Sequence, residues 1–316
     1  MNLYYAMGGG VGHLVRARAV IHTLGLNPST TSILSSSPYA IDSRIVGTIP
    51  VRVVPKELGQ KPGDWRKWIE RVTNELQPEN LYLDTFPAGI LGEFEFVRLP
   101  ATTAVHHVAR LLNPGSQREL FATPGPRFDT CYIVEDLDCD HRTLLRDRSR
   151  ATIELSLIDP SPVEATAASA IVLGRHSNFW LVVHSGPTNE VAELLAFADG
   201  MRDAASITPH LVALTLSPPD VLPPGTSCYD VFPATPLFPH TARIFTAGGF
   251  NAMRQTAPWR NRHFAMPFSR RHDDQYRRVA RARNVTKGTD VAREFASAPV
   301  RCRPADHSQP PSLPIQ

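Results

Sequence analysis

Short apolar runs alternate with longer amphipathic ones along most of this chain. Asn2–Met7 reads as an apolar strand, and Val11–Leu24 as a helix with one apolar face. Thr31–Ser36 and Val51–Pro55 read as strands. Asp64–Leu76 reads as a helix carrying Trp65 and Trp68. Leu81–Asp84, Thr103–Val108 and Cys131–Glu135 continue the strand series. A second series opens with the strand Phe179–His184 and the helix Val191–Met201. It continues through Leu211–Leu216, Tyr229–Phe232, Ile244–Thr246 and Phe264–Pro267. Strands separated by helices or long connections predict parallel sheets covered on both faces, an α/β class. Two such series in 316 residues predict two Rossmann-like domains, residues 1–174 and 177–298. Residues 299–316 are polar and proline-rich, and are expected to be disordered.

Three turns at strand ends carry candidate chemistry. The first is Gly8-Gly9-Gly10-Val11-Gly12-His13, between the first strand and first helix. His13 replaces the third glycine of a dinucleotide fingerprint and the second strand ends in serines, which excludes an NAD site. No Gly-Lys-Ser/Thr follows, which excludes a P-loop. A histidine at a helix N-terminus is disfavoured in its charged form, so His13 suits a basic or hydrogen-bonding role; it can equally pack in the turn. The second turn is Ser185-Gly186-Pro187, ahead of a helix whose N-terminus can meet an anion. The third is Gly248-Gly249, followed by Phe250-Asn251 and the start of another helix; its glycines allow backbone N–H groups close to a phosphate.

One strand later come Asp273-Asp274-Gln275. A carboxylate accepts from two hydroxyls and an amide both accepts and donates, so Asp274 and Gln275 suit the reading of a sugar. Asp273 is expected to cap the helix behind them. Strand, Gly248-Gly249-Phe250-Asn251, strand, then Asp274-Gln275 resembles the donor-binding half of GT-B glycosyltransferases. The nearest likeness is to the MurG-like, family 28 type that uses UDP-sugars. Gly9, Gly10, Gly12 and His13 are similar to that family's first glycine loop.

The resemblance implies two facing domains, donor in the C-terminal half and acceptor in the N-terminal half. It implies transfer of a sugar from a nucleotide-sugar, a UDP-sugar by likeness, to an unknown small-molecule or lipid-linked acceptor, without metal or other cofactor. It places Gly10, Gly12, Ser185, Gly186, Gly248 and Gly249 near the diphosphate, and Asn251 within the same motif. Asp274 and Gln275 fall on the sugar. Gln255 stands where the family carries a ribose-binding glutamate, and Phe250 where many members carry histidine. A UDP-sugar epimerase of the same architecture and a non-catalytic nucleotide-sugar-binding protein are the other classes open.

A base must take the acceptor proton. His13 is the first candidate and Asp84, at the end of its strand, the second; Asp84 can also cap a turn. His106-His107 is read as ending the next strand, where it can meet an acceptor phosphate or simply pack. Asp136-x-Asp138 has the form of a metal motif, but it lies just before a helix and is read as capping it. The arginines from Arg254 to Arg283 read mostly as a solvated helix face, with Arg270 or Arg271 free to neutralise a diphosphate.

Composition narrows the rest. The net charge is only +3, and no basic stretch is interleaved with aromatics, so no nucleic-acid partner is expected. Cys131, Cys139, Cys228 and Cys302 have no zinc-like spacing and are expected to be reduced thiols. No apolar run approaches the ~20 residues of a membrane span. The N-terminus has no signal-peptide pattern. A cytoplasmic protein able to touch a membrane surface is the expectation.

Overall fold

The computed structural model describes residues 1–160 and 165–288. The first sheet gathers β1 (Asn2–Tyr5), β2 (Thr31–Ser35), β3 (Val51–Val53), β4 (Asn80–Asp84), β5 (Ala104–Ala109), β6 (Phe128–Ile133) and β7 (Ser149–Glu154). They are all parallel, in the order β3-β2-β1-β4-β5-β6-β7. Helices α1 (Gly12–Thr23), α2 (Ser43–Val46), α3 (Pro62–Leu76), α4 (Pro114–Ala122) and α5 (Cys139–Arg148) connect them. The second sheet follows α6 (Ala165–Arg175) and holds β8 (Phe179–Val183), β9 (His210–Leu214), β10 (Thr226–Tyr229), β11 (Arg243–Ala247) and β12 (His263–Met266). Its order is β10-β9-β8-β11-β12, again all parallel. With it go α7 (Thr188–Ala205), α8 (Phe250–Gln255) and α9 (Gln275–Gly288).

Both faces of each sheet are buried, so successive strand residues feed opposite cores. In β1, Tyr4 packs with Leu14, Ile21 and Ile33 on one face, while Leu3 and Tyr5 join Trp65, Trp68 and Ile69 on the other. In β8, Trp180 and Val182 meet α7 through Leu194, while Phe179 and Leu181 meet Phe238 and Ile244. The predicted strands therefore form, mostly ending a residue or two early where the polar turn begins, except that the one read at Tyr229–Phe232 runs instead over Thr226–Tyr229. Strand β7 has no counterpart in the hydrophobic pattern. It is an edge strand whose Arg150, Thr152 and Glu154 are exposed, so no apolar run marks it.

In each sheet the strand order reverses once, between β1 and β4 and between β8 and β11. Ligands of open α/β sheets lie outside the strand ends at such reversals. The start of α1, just past the turn after β1, carries His13, and the end of β4 carries Asp84. The turn after β8 carries Ser185-Gly186, and the turn after β11 carries Gly248-Gly249. The topology thus sets the sequence-predicted turns at the two points where a cleft opens.

The C-terminal parts of two expectations, residues 289–298 of the second domain and the tail 299–316, lie outside the described residues, as does Cys302. Cys131 is buried and Cys228 half-buried, both free thiols, and Cys139 is exposed. No helix among the described residues is long and apolar enough to cross a membrane.

Candidate functional site

At the first reversal, His13 and Asp84 meet. His13 Nδ1 lies 2.6 Å from Asp84 Oδ2. Arg16, three residues on along α1 and so on the same helical face, closes a fork on that carboxylate at 2.6 Å from each oxygen. Asp84 and Arg16 are buried, and the His13 side chain keeps 16% of its surface exposed. Burial pushes the Asp84 pKa up, but Arg16 and the His13 hydrogen bond hold it well below the usual carboxylate range. Burial lowers the His13 pKa, which Asp84 only partly offsets, so the ring is neutral at pH 7. A neutral ring donating Nδ1–H to Asp84 leaves Nε2 as an acceptor, and no hydrogen bond to Nε2 forms among the described residues. The ring stacks on Phe86 at 5.7 Å, and a side chain at Gly8 would strike it at 2.6 Å.

Asp84 therefore does not cap a turn; it orients His13. His106 and His107 do not end a strand either, since β5 runs on to Ala109. His107 Nδ1 is 3.0 Å from the Leu83 carbonyl, and burial pushes its pKa down to about 3, the state of a packed neutral ring.

At the second reversal the glycines divide into two kinds. A Cβ on Gly249 would meet nothing within 4 Å, as would one on Gly9 or Gly10. A Cβ on Gly248 would lie 2.7 Å from Val279, so this glycine serves the close approach of α9. Gly12 sits across from Asn251, whose Nδ2 donates to the Gly12 carbonyl at 2.8 Å. Gln255 donates to Asp159 at 3.1 Å, beside an Arg254–Asp159 pair at 2.7 Å. Asn251 and Gln255 are thus held by the first half and by the connection between the halves.

Ser185 is exposed, and Gly186 lies against a cluster absent from the sequence reading. A Cβ there would fall 2.4 Å from His184 Nε2, which is itself 2.7 Å from Glu190 Oε2. Arg270 pairs with the same Glu190, and both His184 and Arg270 lie over the Phe268 ring. Arg271 pairs instead with Glu119 at 2.9 Å.

Two role assignments change around Asp274-Gln275. Asp274, not Asp273, caps α9, its Oδ1 accepting from Arg277 N at 3.0 Å. Gln275 is buried, its Oε1 accepting from Phe268 N at 3.0 Å. Asp273 is drawn into ion pairs with Arg110 and Arg278.

The acidic run and the basic run likewise prove to be partners across the two halves. Asp138 starts α5 but its carboxylate makes no cap bond; it takes Arg277 and Arg281 of α9. Asp136 takes Arg142 and Arg281, and Glu135 takes Arg278. The capping reading of Asp136-x-Asp138 and the solvated-face reading of these arginines are both replaced by this contact. Beside it lies an open cavity of about 790 Å³ lined by Pro114, Gln117, Asp138, Arg142, Arg277 and Arg281. Among the described residues no group of three or more His, Cys, Asp or Glu side chains is placed to hold a metal ion.

No protein-family model matches the chain, and no curated protein matches it in sequence. Its architecture does match solved structures. The UDP-N-acetylglucosamine 2-epimerase from Rickettsia bellii superposes with a TM-score of 0.53 at 11% identity, over 91% of this chain and 88% of that one. The glycosyltransferase of kitacinnamycin gives 0.54 at 12%, over 90% and 84%. The spinosyn rhamnosyltransferase SpnG in complex with thymidine diphosphate gives 0.53 at 13%, over 91% and 85%. At these identities the likeness establishes the fold. It is GT-B, with two Rossmann-like domains.

Proposed function

We propose that this protein is a GT-B glycosyltransferase of MurG-like type, moving a sugar from a nucleotide-sugar to an acceptor hydroxyl. The observation that carries the reading is the Asp84-oriented, neutral His13 at the first sheet's reversal, its Nε2 without a hydrogen-bonded protein partner among the described residues. Such a ring can accept the acceptor's proton while Asp84 stabilises the imidazolium that forms. The Asp84 carboxylate stays ionised throughout, because Arg16 holds it.

The second reversal supplies the complementary half. The open space over Gly249 admits a phosphate to the backbone N–H groups, and the N-terminus of the 18-residue α7 faces the turn at Ser185-Gly186. Fixed donors of this kind stabilise a leaving diphosphate in place of a metal. Gly10 and Gly12 border the same cleft. Asp274 and Gln275 remain the candidates for the sugar hydroxyls, with one Asp274 oxygen and the Gln275 amide nitrogen left for that purpose by the bonds above. UDP or a UDP-sugar is named for three of the solved neighbours and thymidine diphosphate for another. We take UDP-sugars as the first donors to try.

The epimerases among the structural neighbours carry a second reading, turnover of the UDP-sugar with no acceptor. Incubation with radiolabelled UDP-sugars, with and without an acceptor mixture, separates the two. A labelled glycoside that appears only with acceptor supports transfer. A stereoisomer formed without acceptor replaces it with epimerisation. Unchanged donor under all conditions, despite measurable binding, would leave a binding protein.

A further inference from the structure

A continuous run of hydrogen bonds leads from His13 in the first domain to Gly248 in the second. Asp84 holds both His13 and Arg16. The Arg16 Nη2 also donates to Thr85 Oγ1 at 2.8 Å, and the same oxygen accepts from Arg110 Nε at 3.2 Å. Arg110 Nη1 pairs with Asp273 of the second domain. Asp273 takes Arg278 at 2.8 Å, and Arg278 Nη1 donates to the Gly248 carbonyl at 2.9 Å. Arg278 returns to the first domain through Glu135, whose Oε2 also accepts from Leu111 N at 2.9 Å.

The run is expensive to build. Arg16, Asp84, Thr85, Arg110 and Arg278 are all buried, and buried ion pairs seldom stabilise more than apolar residues of similar volume would. Thr85 adopts φ +69°, a left-handed conformation that a β-branched residue rarely takes. That conformation sets its hydroxyl between Arg16 and Arg110, and strain of this kind persists where surrounding contacts over-determine it. The loop that brings Asp273 is itself docked: His272 O accepts from Asn113 N at 3.2 Å, and Arg271 O accepts from Ser116 Oγ at 2.8 Å.

We propose that Arg110 and Asp273 are positioning residues that link the docking of the second domain to the assembly of the His13–Asp84 pair. With the Asp273 loop in place, Arg110 is neutralised and points Nε at Thr85, which leaves Arg16 aligned on Asp84. Without it, an unpaired Arg110 faces Arg16 and Thr85, and the fork on Asp84 loosens. The proposal rests on the reading of His13 as the base for its catalytic meaning, but the physical link is measurable without any substrate.

The test uses the full chain carrying isotopically labelled histidine, with the His13 signal assigned through His13→Gln. The charged groups facing His13 are Asp84, Arg16 and Arg110. Asp273→Asn leaves the Arg110 charge unbalanced, so the His13 titration midpoint should move down by about half a pH unit or more. Thr85→Val breaks the link on the first-domain side and should also move it, while Thr85→Ser restores it. In turnover of a UDP-sugar, Asp273→Asn should lower kcat about tenfold with little change in donor KM. A melting temperature that drops while the His13 midpoint stays fixed in both Asp273→Asn and Thr85→Val would overturn the link and leave Asp273 as domain glue. A moved midpoint with no UDP-sugar turnover in wild type would keep the link and remove the proposed function.

Discussion

The two strand-order reversals of this molecule are solved in opposite ways. At the first, charge is concentrated: a histidine and an arginine each lie 2.6 Å from one aspartate, nearly all out of water. At the second, side chains are withheld: Gly249 faces open space, and the charges around the two turns are already paired, Glu190 with Arg270 and Arg278 with Asp273 and Glu135. The first arrangement is fit to move a proton, which needs one group of defined tautomer and orientation. The second is fit to receive charge brought by a ligand, which needs backbone donors and room. One fold repeated twice therefore yields two different arrangements, decided by which side chains follow the strands on either side of each reversal.

The sharpest break of this contrast is at His13. His13→Gln or Asp84→Asn should cut sugar transfer by roughly 10²–10⁴-fold while UDP binding, measured by calorimetry, is retained. Equal loss of both would move the contrast from chemistry to folding. The pH profile sharpens the same point. Because burial lowers the His13 pKa, the protein should stay active as pH falls to the ordinary histidine value of about 6.5 and lose activity only below it. An acid limb centred above that value would assign the base elsewhere.

On the stability side, the first half hides a second carboxyl unrelated to His13. Glu93 is buried against the Tyr5 hydroxyl and under the Leu91 amide, and burial pushes its pKa up to about 7. Its folded pKa is raised, so the stability it gives is complete below the ordinary carboxyl range and is lost as pH rises through about 7. The loss is at most about 3 kcal/mol. Thermal melts from about pH 5 to pH 8 should show this decline in the wild type and little of it in Glu93→Gln. At the second reversal, Gly248→Ala forces a Cβ on Val279 and should cost about 1–3 kcal/mol of stability. Gly249→Val should instead leave the melting temperature unchanged and abolish UDP binding. The smallest effect is expected at Asp274: Asp274→Ala should cost about 0.5–2 kcal/mol by uncapping α9. A loss of UDP-sugar affinity beyond that of UDP alone would show the same residue reading the sugar.

The hydrophobic pattern made the two sheets legible because strands buried on both faces announce themselves as apolar runs, and glycine turns mark where they stop. It could not show β7, which is polar and exposed. His13 and Asp84 were each visible as candidates, but not as a pair, because 71 residues separate them and only the adjacency of β1 and β4 joins them. Arg16 had a signal: an arginine three positions after His13 on the apolar face of an amphipathic helix must be buried with a partner. Arg110, Arg278 and Glu135 had none, since each makes an ion pair with the other half of the chain. For the same reason, an acidic run read as a helix cap and a basic run read as a solvated face were in fact each other's contact.

The bond from Asn251 to the Gly12 carbonyl has a thermodynamic corollary. A residue that touches the opposite domain is already spent on a contact. A donor that recruits Asn251 must displace that bond before it gains its own, so its apparent affinity is the difference of the two. An Asn251→Ala variant would then relax the grip between the halves as well as weaken the ligand, and its measured effect on binding would understate the contact it removes.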